Sequence, residues 1–134
     1  VKIKFILTLL LIFVTSFCHS QYRWRSQFFS SRFADSLGEW TKYTDWQPSG
    51  ILITANKETQ RVIVYSSNKQ IYDMVDKVQE LSDNEGNPIY KVGCLDENGS
   101  RCTMTWYHRK DGESFVIFSF SNLELMYKVN LLTD

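Results

Sequence analysis

Two cysteines eight positions apart, Cys94 and Cys102, constrain the pairing of the segments that carry them. Residues on either side alternate in polarity, with Tyr90, Val92 and Cys94 before the turn residues Glu97-Asn98-Gly99 and Cys102, Met104 and Trp106 after them. Such alternation marks strands with one buried face. A two-residue turn at Asn98-Gly99 would set Cys94 opposite Thr103 and send the two sulfurs to opposite faces. A three-residue loop, Glu97-Asn98-Gly99 with Gly99 left-handed, sets Cys94 opposite Cys102, Val92 opposite Met104 and Tyr90 opposite Trp106. One face is then apolar or aromatic throughout, while the other carries Lys91, Arg101, Thr103 and Thr105. We adopt this register, and with it expect a disulfide between Cys94 and Cys102.

The device recurs downstream. A loop of Lys110-Asp111-Gly112 sets Trp106 opposite Val116, Met104 opposite Phe118 and Cys102 opposite Phe120. A tight turn at Asn122-Leu123 then places Phe120 by Leu125, Phe118 by Tyr127 and Val116 by Val129. Four strands thus share an apolar face that the first half of the chain must cover. Strands are predicted over 40–46, 51–54, 61–66, 89–95, 101–109, 114–120 and 124–131, separated by Gly-, Asn- and Asp-rich turns. Phe29, Phe33, Leu37 and Trp40 recur at helical spacing ahead of Gly38, which predicts a short helix over 26–37. Residues 70–81 fit either period. A strand, bulged or twisted to bury both Ile71 and Val78, is preferred, and a helix over 69–82 in an α+β fold is the alternative. The expected fold is mainly β: an antiparallel meander of about seven to eight strands, forming a small barrel or sandwich with a short N-terminal helix.

Lys2 and Lys4 precede an apolar run over 5–14, and Cys18 and Ser20 supply small residues behind it. This pattern reads as a cleaved signal peptide over 1–20, followed by a single β-rich domain over 21–134 in a secreted or periplasmic protein. The run is shorter than the roughly 20 residues that span a bilayer, so membrane contact is expected only through the signal peptide. Bulky Phe17 opposes acylation of Cys18. Losing Lys2 and Lys4 leaves thirteen basic against fifteen acidic side chains, a net charge of −2. That balance exerts no long-range pull on nucleic acid. Arg23, Arg25 and Arg32 are read as a solvated face.

Chemistry is sparse. His108, the one histidine left after cleavage, has no Gly-x-Ser-x-Gly companion and is read as a hairpin-end residue. Paired cysteines would leave too few ligands for a metal, and no glycine loop is built to cradle phosphate, so neither metal nor cofactor is expected. Asp73, Asp76, Glu80, Asp83 and Glu85 form an acidic run read as solvated surface, with Asp83 to Asn87 a turn rather than a calcium loop. Trp40, Tyr43 and Trp46 are the candidate contacts for a ligand or partner, because exposed aromatics stack on ligands and anchor protein interfaces. The expected function is an exported noncatalytic binding module, taking a small apolar ligand or a protein partner. The alternatives are a small carboxylate-dependent hydrolase and a structural component of the cell envelope.

Overall fold

A computed structural model describes residues 21–132, so the signal peptide expected over 1–20 lies outside the described residues. Among the described residues ten strands run in chain order: β1 (Gln21–Phe33), β2 (Gln47–Pro48), β3 (Leu52–Asn56), β4 (Arg61–Tyr65), β5 (Gln70–Met74), β6 (Gln79–Ser82), β7 (Pro88–Leu95), β8 (Arg101–His108), β9 (Ser114–Ser119) and β10 (Leu123–Leu131). Eight of them, all but β2 and β6, close into an antiparallel barrel in which β10 pairs with β1. The barrel, not the sandwich, is the architecture.

Within the β7–β10 half, the observed register follows parity. Cys94 lies opposite Cys102, Val92 opposite Met104 and Tyr90 opposite Trp106. Trp106 lies opposite Val116 and Met104 opposite Phe118. Gly99 takes a φ of +79°, donating its N–H to Asp96 O at 3.1 Å, while Asp96 Oδ1 accepts the N–H groups of Asn98 and Ser100. The same five-residue loop, glycine in fourth place, recurs at 35–39, 83–87 and 109–113. In 83–87, the Asp83 carboxylate accepts from the N–H groups of Glu85 and Asn87, the Asn87 amide and the Tyr107 hydroxyl. Those donors, Tyr107 foremost, hold Asp83 well below the usual carboxylate range.

Four expectations need correction. The last hairpin turns at Ser121-Asn122, with Phe120 N–H donating to Leu123 O at 2.7 Å. Phe118 therefore lies opposite Leu125, Val116 opposite Tyr127 and Ser114 opposite Val129. The pairing slips by two positions, which leaves every side chain on its expected face. The disulfide is not formed: Cys94 and Cys102 are buried free thiols. Alternation from the hydrogen-bonded Asp96–Ser100 end makes theirs a hydrogen-bonded pair, whose Cβ atoms sit farther apart than a disulfide prefers.

The third correction concerns 26–37, which is no helix. Residues 21–33 are β1, and the supposed buried helix face is open, with Phe33 58% and Leu37 85% exposed. Tyr22, Trp24 and Ser26 face inward by strand alternation, and the register shifts between Ser26 and Phe28. Gly38, at φ +80°, ends no helix; it is the left-handed residue of the loop joining Ala34 to Trp40. Fourth, the strand predicted over 40–46 is an irregular segment laid along β1. Thr41 N–H donates to Phe33 O at 2.8 Å and Thr44 N–H to Ser31 O at 2.9 Å.

Residues 70–82 resolve as a strand broken by an excursion, not as a helix. β5 and β6 share one edge of β7, and 75–78 loop out between them. Val75, Val78 and Leu81, which gave the helical period, are 42–48% exposed.

The interior is filled by inward residues of all eight barrel strands, with Ile53, Val62, Val64, Val116 and Phe118 fully buried. Two aromatic pairs span it. Tyr72 of β5 stacks on Phe118 of β9 at 4.7 Å, and Trp24 of β1 meets Trp106 of β8 edge-on at 5.2 Å.

Gly99→Val tests the loop. A β-branched residue in the left-handed region should cost roughly 1–2 kcal/mol, read as a lower urea midpoint. Asn98→Ala should cost less, because only the Asn98 backbone serves the loop.

Candidate ligand cavity

One end of the barrel holds a partly enclosed cavity of about 230 Å3. Strand alternation supplies its wall: Tyr22 and Trp24 from β1, Ala55 from β3, Met74 from β5, Tyr90 and Val92 from β7, and Met104 and Trp106 from β8. Val78, Glu80 and Lys57 complete it from the excursion, β6 and the β3–β4 loop. The Lys57 ammonium lies 5.4 Å from the centre of the Tyr22 ring.

Four aromatic rings dominate this wall. Trp106 stacks on Tyr90 at 5.1 Å, lies 5.5 Å from Tyr22 and meets Trp24 edge-on. The indole Nε1 atoms of Trp24 and Trp106 are buried and have no hydrogen-bond partner among the described residues. Leaving such a donor unpaired costs about 1–3 kcal/mol, of which the aromatic contact recovers part. An occupant offering an acceptor would relieve that cost, provided the rings shift to present the N–H groups.

Trp40, Tyr43 and Trp46 are not brought to the cavity. They lie on the outer wall, where the Arg32 guanidinium sits 4.8 Å from the Trp40 ring centre and 4.7 Å from that of Tyr43. Arg32 also pairs with Glu124 at 3.0 Å, and the Tyr43 hydroxyl donates to the same carboxylate. Together these contacts clip the irregular 40–46 segment to β1 and β10. Burial alone would raise the Glu124 pKa, but the hydrogen bonds from Arg32 and Tyr43 outweigh it and hold the carboxyl below its ordinary value. Trp46 stacks on Phe115 at 6.2 Å.

The remaining candidates are dispersed. Asp73 pairs with Arg61 at 3.1 Å, Asp83 is saturated in its turn, and only Glu80 of the acidic run lines the cavity. His108 Nδ1 and Ser114 Oγ meet at 2.5 Å across β8 and β9, but Ser114 is 4% exposed and packed in the wall. A nucleophile needs an open approach. Among the described residues, no three of His, Cys, Asp and Glu are grouped to hold a metal.

Sequence reasoning assigned Tyr90 and Trp106 to the buried face without seeing that they line a cavity. It missed Tyr22 and Trp24 because it began structure at residue 26. The signal was present as the alternation of Tyr22, Trp24 and Ser26. No protein-family model matches the chain, and no curated protein or solved structure matches it either.

Tyr43 carries a pH test of the outer clip. Burial first, then its hydrogen bond to Glu124, pushes its pKa up to about 12 from an ordinary 10.0. A value raised in the folded state stabilises fully below the unfolded pKa and is lost as pH climbs through the folded one. The urea midpoint should therefore fall between pH 10 and 12, and fall less in Tyr43→Phe. Equal declines in both proteins would detach Tyr43 from the alkaline transition.

Proposed function

We propose that this chain is an exported, noncatalytic binding module that holds one small, largely apolar ligand in the open end of its barrel. The cavity of about 230 Å3 walled by Tyr22, Trp24, Tyr90 and Trp106 carries the reading. An eight-strand barrel is just wide enough to be filled by side chains or to admit one small ligand. Here the aromatic crossing at Trp24 and Trp106 forms one side of that space. A 150 Å3 apolar cavity accepts benzene, so this larger, partly open one suits a ligand of about nine to eleven non-hydrogen atoms. Export rests on the basic–apolar–small pattern of residues 1–20.

A second reading, a protein partner on the outer wall, draws on one row of residues. Phe28, Lys128, Phe115, Tyr107, Ile89 and Leu81 lie opposite one another across six successive strands. Phe28 is 38% and Leu81 48% exposed, and Trp46 extends the row by stacking on Phe115.

Calorimetric titration with 2-naphthol separates the two. At roughly 0.4–0.6 kcal/mol for each of its non-hydrogen atoms, naphthol should bind with a Kd of about 10 μM to 1 mM. Ala55→Phe fills the cavity and should weaken binding at least about tenfold, while Trp46→Ala, on the outer wall, should leave it unchanged. Circular dichroism checks that the overpacked variant, strained by roughly 1–3 kcal/mol, still folds. Naphthol binding indifferent to Ala55→Phe, or no binding at all, would remove the cavity reading.

A further inference from the structure

Behind the cavity, sulfur is concentrated. The chain has three methionines, and two of them share the inner face of adjacent strands with both described cysteines. Met74 of β5 lies opposite Cys94 of β7, and Cys94 lies opposite Cys102 of β8. Met104 follows Cys102 on the same inner face, opposite Val92. Cys94, Cys102 and Met104 are 1–5% exposed, and Met74 packs against that core. Directly opposed Cβ atoms sit about 4.5–5.5 Å apart, and the three rotatable bonds of methionine let its sulfur cover the diagonal.

We propose that Cys94, Cys102, Met74 and Met104 form a binding site for a soft monovalent cation of the Cu(I) class. Sulfur donors without imidazole or carboxylate select soft ions over calcium or magnesium, and thioethers, which are not among the usual zinc ligands, turn the set toward Cu(I). The spacing that disfavours a disulfide favours a bridging ion, because two metal–sulfur bonds of about 2.3 Å span what one sulfur–sulfur bond of about 2.05 Å cannot. A route in exists: Met74 and Met104 both line the cavity. As the ion enters, both thiol protons leave to solvent and both sulfurs bind as thiolates. The two thioethers bind as neutral donors, and the single negative charge that results lies behind a cavity that Lys57 also lines. This inference does not depend on the ligand reading above.

The test is anaerobic titration of the reduced protein against Cu(I) held by the colorimetric chelator bicinchoninate. The protein should withdraw one equivalent and release two protons per ion. Cys94→Ala with Cys102→Ala should abolish the withdrawal. Met74→Leu with Met104→Leu conserves volume and keeps the fold, and should weaken binding at least about tenfold. This second pair decides the matter even if the cysteine variant fails to fold. Naphthol titration of the same samples reads the cavity separately. No withdrawal by the parent protein, or withdrawal equal to the parent's in either variant, overturns the four-sulfur site.

Discussion

The pairing of β1 with β10 holds this molecule together. An antiparallel sheet that ends in free edges exposes a row of unpaired N–H and C=O groups, and closure removes them. β1 spans 13 residues because it serves partners on both sides: Gln21 to Arg25 meet β3 on one edge, while Trp24 to Phe33 meet β10 on the other. Ser26 sits at the changeover. Its hydroxyl accepts the Ile51 N–H at 2.8 Å and contacts the Ser49 hydroxyl at 2.7 Å, so the shifted register leaves no polar group stranded. Because this pairing joins distant parts of the chain, its loop-closure cost precedes its reward, which makes the topology slow to fold.

The cavity is a consequence of that closure. Only when β1 is in place do Tyr22 and Trp24 reach across the interior to Trp106. Elsewhere in the barrel Tyr72 lies flat on Phe118, and Phe118 in turn meets Tyr127 edge-on, so that region is filled. At the open end the rings sit against one another but leave a space beside them, bounded by the small side chain of Ala55. Burying two indole donors without partners is unfavourable, and such groups in a native interior call for a reason.

Around this core the loops do quiet structural work. Asp35, Asp83 and Asp96 each open a five-residue loop by accepting two backbone N–H groups two and four residues ahead. At 109–113 the place is held by Arg109, and Asp111 takes over part of the role by accepting the Glu113 N–H at 3.0 Å. The Arg32–Glu124–Tyr43 clip does for the irregular 40–46 segment what a ladder does for a strand.

How much of this was legible in the chain can be argued residue by residue. The alternation of Tyr90, Val92, Cys94, Cys102, Met104 and Trp106, read with Gly99, determined a register and a buried face. The two-residue side-chain period and the left-handed loop position are local properties, written in consecutive residues. Even the misplaced turn after Phe120 kept every side chain on its face, because the slip was even-numbered. The sequence by itself did not determine whether Phe29 and Phe33 belonged to a helical stripe or to a strand. Their spacing fits both periods, and the choice depended on distant β10, whose backbone hydrogen bonds are blind to side-chain identity. Tertiary structure alone decided that the sheet closes and that 70–82 breaks around an excursion. It alone decided which aromatics line the space: Trp40, Tyr43 and Trp46 went to the outer wall, while Tyr22 and Trp24 crossed the interior. Faces follow from local parity, but a cavity exists only between residues that distant pairing has already brought together.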